Sequence, residues 1–472
     1  MADLDLCYAS AVELAGRIGA REVSPVEVVD AVLEQIETVN PRLNAYCLVQ
    51  VDEARKAARE AEAAVMRGDR LGALHGVPMS VKDLIFTRGL RTTFGSMLHA
   101  DFVPDRDAPA VARLRAAGAI LLGKTTTCEF GYKAVTDSRL FGVTRNPWNP
   151  ALTPAGSSGG AAVAVACGMG PLALGSDGGG SIRAPASYCG IFGLKPSFGR
   201  VPLAPLAGWE ALDYRLEHYG PLTRTVADAA LMLQVIAGPD ESDPTSLPAG
   251  VGDFRGAADK GLSGMRAAWC PRFNAAVVEP AVRALTEARA KRFADLGCHV
   301  EEADPGGDAL HDLYRLLFAA DCAGALGERL SPWRERMDAG LVKLVEIGLE
   351  VGGAEYARAK SELFGRVGQI LGFFERYDFV LTPTLPLPPF PLGRDWPREI
   401  AGQKVHPLTY LAYTYPFNVT GQPAASLPCG WTDDGLPVGL QIVGRRFGEA
   451  TVLRAAAAYE EAFPWADRRP PV

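Results

Sequence analysis

The chain has 472 residues, of which 48% are hydrophobic and 22% charged, and carries a formal net charge of −7. That balance excludes intrinsic disorder and allows a core large enough for one big α/β domain or for two or three smaller ones. Net negative charge without a long lysine–arginine block opposes general attraction to phosphate backbones, so no nucleic-acid partner is expected.

The nine cysteines are scattered at positions 7, 47, 128, 167, 189, 270, 298, 322 and 429, with no C-x-x-C pair. This is the pattern of reduced, buried thiols in a cytoplasmic protein. Met1 to Asp5 is acidic and lacks the basic start and apolar run of a signal peptide. Residues 155–176 carry no charge, yet six glycines, Pro171 and three serines make them a buried helix–turn–strand rather than a membrane span.

In chain order, Ser24-Pro25-Val26-Glu27 is a capping box that opens an amphipathic helix through about Asn40, and Asp52 to Arg67 forms a second helix. Together they make residues 1–67 a peripheral helical arm. A signature core follows over residues 74–240. Its first strand, around Gly76-Val77-Pro78-Met79-Ser80-Val81-Lys82, delivers one lysine into an apolar setting. Lys82 is either a solvated strand end or a buried base, since desolvation favours the neutral amine. His75 reads as structural, because no second His or Cys stands at metal spacing nearby, and no metal is expected. Asp107 can cap a helix through Ala117, after which residues 119–122 read as a buried strand. Gly118 to Thr125 formally matches the phosphate-loop pattern G-x-x-x-x-G-K-[ST], but the apolar strand occupies the loop positions instead of preceding them.

Gly156 to Arg183 holds two serine-bearing glycine turns around a small-residue apolar run. A helix over Ala161 to Gly168 would place its N-terminal N–H groups at Ser157 to Gly160. The turn Gly178-Gly179-Gly180-Ser181 can aim consecutive N–H groups at one point, where they would stabilise an oxyanion. Serine beside glycine is also an ordinary turn former, and this stretch alone leaves both readings open. Further on, Gly199 to Leu206 is loop-like. Trp209, Tyr214 and His218 either wall a pocket or merely pack. A helix starts near Val226, and Pro239 to Asp259 is linker-like. Residues 259–375 are expected to be a mainly helical cap or flank, broken at Gly353. Residues 376–472 return to the core sheet through strands near 378–384, 425–428 and 438–443 and end in a helix over Ala450 to Ala462.

Lys82, Ser157 and Ser181, with the text around them, resemble the amidase signature family of serine hydrolases. The motifs are Gly156-Ser157-Ser158-Gly159-Gly160 and Asp177-Gly178-Gly179-Gly180-Ser181-Ile182-Arg183, and the resemblance runs from Gly76 to Gly444. It implies a mixed central β-sheet covered by helices on both faces, and an amidohydrolase with no cofactor. By resemblance Ser181 is the nucleophile, Ser157 the bridging serine held on a cis Gly156–Ser157 peptide, and Lys82 the base. Gly178 to Ser181 would form the oxyanion hole and Thr127 would line the substrate pocket. A serine hydroxyl needs a base to become a good nucleophile, and no histidine here stands in a motif that would supply one. Asp177 and Arg183 read as a structural ion pair.

Two departures matter. Ala155 stands where the family often has glycine, which should perturb the turn little. The glutamine-hydrolysing member of the transfer-RNA-dependent amidotransferases, similar in its core, holds the glutamine amino group with a carboxylate. Leu411 occupies that place here, and no Asp or Glu occurs from Ile400 to Thr432. The preferred substrate is therefore a small apolar or aryl amide, or a carbamate (urethane), and the alternative is the glutamine-hydrolysing A subunit of a transfer-RNA-dependent amidotransferase. A homodimer is left open.

Overall fold

The computed structural model describes residues 2–203, 216–248, 252–257, 260–306 and 310–472. Trp209 and Tyr214 lie outside these residues. One eleven-stranded mixed sheet organises the chain. Near one end, Pro78–Lys82 lies between Ile120–Thr125 and Leu172–Ser176, parallel to both. Tyr46–Val49 closes that edge, antiparallel to Ile120–Thr125. From Leu172–Ser176 the sheet continues through Tyr219–Thr223, Phe192–Lys195, Ala424–Trp431, Pro437–Gly444 and Phe379–Pro383, every neighbour antiparallel. Arg266–Trp269 and His299–Glu302 complete it with parallel pairing.

Every residue of Pro78–Lys82, Leu172–Ser176, Phe379–Pro383 and Pro437–Gly444 is buried. A strand buried at every position must be covered on both faces, and the helices supply that cover. The small-residue helix Gly159–Ala166 is buried throughout because it packs into the strands around Lys82. Gly160 has no room for a side chain: a Cβ there would meet Ala45 O and Thr126 N at 2.5 Å.

Three expectations need correction. The segment expected to be mainly helical also contributes two strands, Arg266–Trp269 and His299–Glu302. Each has only four residues, the first is R-A-A-W and the second is mostly exposed without clean alternation, so neither carries a period-two signal. The helical arm likewise contains the edge strand Tyr46–Val49. Asp107 does not cap the next helix. That helix, Pro109–Ala116, begins after Ala108 with proline at its first position, while Asp107 Oδ1 accepts from Arg88 N at 2.7 Å.

The apparent phosphate loop is the paired strand Ile120–Thr125, as its apolar text requires. Its Lys124 is buried and donates to Ile85 O at 2.5 Å, Thr87 Oγ1 at 2.9 Å and Thr92 Oγ1 at 3.1 Å. Helices His311–Trp333, Ala339–Leu349 and Gly353–Phe373 pack together, and the first two send side chains into the cavity described next.

Candidate active site

Lys82 ends a fully buried strand and is itself 0% exposed. Its amine donates to Ser157 Oγ at 2.7 Å, to Ser176 Oγ at 3.0 Å and weakly to Ser176 O at 3.4 Å. Burial pushes its pKa down to about 8, although Glu217, Cys128 and Asp177 act in the opposite direction. Near neutrality the amine therefore holds a usable neutral fraction while in contact with a hydroxyl. The Cys128 thiol is itself pushed up by burial, to about 12.

Ser157 follows a cis Gly156–Ser157 peptide and is 1% exposed. Ser181 precedes the helix Arg183–Cys189 and is 9% exposed. The two serine turns are tied by Ser158 N donating to Ser181 O at 3.1 Å, and both serines line one cavity. The Ser181 hydroxyl makes no hydrogen bond with a described residue, so the link from Ser157 to Ser181 is not formed in this structure. Gly131, with φ +69°, allows the wall of the cavity to close on this point: a Cβ there would lie 3.1 Å from Ser157 Oγ.

The turn before Ser181 is set by peptide orientation. Tyr314 Oη donates to Gly178 O at 3.0 Å, Thr414 Oγ1 to Gly179 O at 2.7 Å, and Ala184 N to Gly180 O at 2.7 Å. In a trans peptide the N–H points opposite to the carbonyl. Fixing the carbonyls of Gly178 and Gly180 thus directs the N–H groups of Gly179 and Ser181 to the other side. Gly180 must be withdrawn from the expected oxyanion set, because its N–H donates to Asp177 Oδ1 at 2.7 Å. The N–H groups of Gly178, Gly179 and Ser181 have no partner among the described residues.

Asp177 and Arg183 form a fully buried pair, with Nη2–Oδ1 at 2.9 Å and Nε–Oδ2 at 3.0 Å. Arg183 also donates to Thr414 O at 2.9 Å, Gln441 Oε1 at 2.8 Å and Asn418 Oδ1 at 2.7 Å. Burial pushes the Asp177 carboxyl up, but Arg183 more than offsets this and holds it well below the usual carboxylate range. A guanidinium with its fork occupied in this way holds the turn in shape.

The cavity has a volume of about 440 Å³ and is walled mainly by apolar side chains, among them Leu84, Phe130, Phe318, Ile347 and Leu411. Thr127 is not part of it, contrary to expectation. It is buried beside Gly95, where a Cβ would meet Thr127 O at 3.0 Å, and the segment that reaches the cavity is Phe130 to Ala134. His218 is buried and its imidazole is held neutral by that burial. His75 Nε2 lies 3.0 Å from Ala61 O, a structural contact.

Glu217 and Tyr314 line the reactive end of the cavity and were not anticipated. Neither sits in a recognisable motif, and chain folding alone brings them to the glycine turn. Among the described residues no group of three His, Cys, Asp or Glu is arranged to hold a metal, all nine cysteines are unpaired, and no helix is long and apolar enough to cross a membrane.

The geometry agrees with what the chain is similar to. The Amidase family model matches residues 27–453. An acylamidase of Rhodococcus erythropolis is 38% identical, with 100% of this chain and 98% of the relative covered. The A component of the glutamyl-tRNA(Gln) amidotransferase of Moorella thermoacetica is also 38% identical, covering 99% of each chain. Among solved structures, a bacterial aryl acylamidase of the amidase signature enzymes superposes with a TM-score of 0.90 at 32% identity, over 97% of each chain.

Proposed function

The chain belongs to the amidase family, and from that premise we propose that it hydrolyses an apolar or aryl amide, with carbamates as a close extension, through an acyl group carried on Ser181. The observation that carries this reading is a fully buried Lys82, its pKa lowered to about 8, in contact with Ser157 at 2.7 Å at the closed end of a largely apolar cavity.

In the proposed cycle neutral Lys82 takes the Ser157 proton as Ser157 takes that of Ser181. The Ser181 oxygen bonds to the substrate carbonyl carbon. The cycle requires the Ser181 hydroxyl to turn toward Ser157, a motion that no hydrogen bond with a described residue opposes, and such contacts commonly tighten only when substrate is bound. The N–H groups of Gly178, Gly179 and Ser181 receive the charge on the carbonyl oxygen. Ser157 then returns a proton to the amine nitrogen as the carbon–nitrogen bond breaks, and Lys82 re-protonates Ser157. Water attacks the acyl ester by the same route and restores the Ser181 hydroxyl.

The second reading, the glutamine-hydrolysing component of a transfer-RNA-dependent amidotransferase, rests on the Moorella relative. The cavity favours the first. Leu411 stands in its wall. Of the carboxylates that line it, Asp395 is held by Lys133 at 2.7 Å and Asp321 by Tyr356 at 2.9 Å, while Glu217 stands against the glycine turn at Gly178.

The isolated chain is therefore expected to release amine from aryl amides and to leave glutamine intact, with Ser181→Ala abolishing both the release and labelling by a fluorophosphonate. Equal turnover by Ser181→Ala would reject the nucleophile. Glutamine hydrolysis that appears only with co-purifying partner proteins would favour the second reading.

A further inference from the structure

One ionisable group at the reactive end has no place in the cycle above. Glu217 lines the cavity beside the glycine turn, where its Oε2 would lie 2.6 Å from a Cβ on Gly178. Glycine at 178 is thus what lets the carboxylate approach. Burial raises the Glu217 pKa, while Lys82 and the Ser176 hydroxyl favour its anion. Ser176 in turn accepts from Lys82 at 3.0 Å. The amine is therefore held between the Ser157 and Ser176 hydroxyls, and Glu217 lines the same cavity as both.

The other charged or titratable groups near the pair cannot take that part. Asp177 is committed to Arg183 at 2.9 Å. The Cys128 and Tyr314 hydrogens are held on by burial, so both groups are neutral. Lys195 and His218 are driven toward their neutral forms by burial.

Resting on the Ser181–Ser157–Lys82 reading, we propose that Glu217 is the positioning residue of the relay, the counter-charge, placed across Ser176, for the ammonium that Lys82 becomes when it takes the proton. A base generated by desolvation has a difficulty that this arrangement answers. The burial that frees the amine to accept a proton also opposes the cation formed in the transition state. A carboxylate one hydroxyl away stabilises that cation without pairing directly with the amine, so part of the lowered pKa survives. Glu217 forms and breaks no bond. It shifts the balance of a proton transfer whose donor and acceptor are Ser157 and Lys82.

The test is the pH profile of Ser181 phosphonylation by a fluorophosphonate, in which the Ser181 oxygen–phosphorus bond forms, fluoride leaves and the proton enters the relay. Loss of labelling in Ser181→Ala and its collapse in Lys82→Met establish the underlying reading independently of Glu217. An opposite charge within about 4–6 Å raises an amine pKa by about one unit or more. Glu217→Gln should accordingly move the acid limb of the profile down by about one pH unit, and lower the plateau rate by about tenfold as the ammonium loses its support. Glu217→Asp, with the charge kept but withdrawn by one methylene, should move the limb part of the way in the same direction, and it carries the test if the Gln variant does not fold. An acid limb that stays in place or moves up would overturn the proposal. So would unchanged profiles accompanied by a KM loss confined to cationic amides, which would make Glu217 a substrate-reading group.

Discussion

Replacing Lys82 with methionine keeps most of the side-chain volume and removes the titrating group, which turns the base into a measurable stability effect. The amine has a pKa of about 8 when folded against a usual 10.5. Because the folded value is the lower one, the unfolded chain binds the proton first as pH falls. Wild-type stability is therefore undiminished above pH 10.5, falls as pH drops toward 8 and is constant below. At about 1.4 kcal/mol per pH unit, the penalty is about 3 kcal/mol at pH 7 and about 1 kcal/mol at pH 10. Methionine escapes it but leaves the Ser157 and Ser176 hydroxyls without their amine partner, at about 1 kcal/mol each at any pH. Lys82→Met should thus be about 1 kcal/mol more stable than wild type at pH 7 and about 1 kcal/mol less stable at pH 10, while losing activity. Urea unfolding of both proteins across pH 7 to 10 reads the difference. A stability difference that does not change with pH would mean that Lys82 ionises normally, and would refute its role as a base created by burial.

Other consequences follow from the same geometry. Ala155 holds φ at +62°, in the left-handed region that favours glycine. Ala155→Gly should raise stability by about 1 kcal/mol with catalysis unchanged, checked by the urea midpoint and by kcat. Arg183→Ala would strand Asp177 in a site with no solvent access and should cost about 3 to 5 kcal/mol, seen as a lowered Tm and loss of Ser181 labelling.

Lys82, Ser157 and Ser181 stood out locally, as an apolar strand ending in lysine and as serines inside glycine turns, while their roles were assigned by the resemblance. The Asp177–Arg183 pair was legible for the same reason, both residues belonging to one turn. Thr127 was placed by resemblance alone, and the chain buries it beside Gly95 instead. Ala155 is held at positive φ, a backbone cost that its place in the text did not show. Gly180 illustrates a finer limit. Glycine at 180 marks an unusual backbone, but which way each N–H points depends on Tyr314, Thr414 and Asp177, two of them distant in the chain.

What the sequence determined by itself was the alternation of strand and helix, the glycine turns and the three candidate side chains within them, since these depend on residues within a few positions of one another. The tertiary structure alone decided how deeply Lys82 is buried, which N–H groups of the glycine turn stay unbonded among the described residues and which carboxylate lines the cavity beside that turn. Those are matters of solvent exclusion and long-range contact. Glu217 meets Gly178 only because the strand Tyr219–Thr223, just beyond it, pairs with Leu172–Ser176, and a local reading of either segment holds no trace of that meeting.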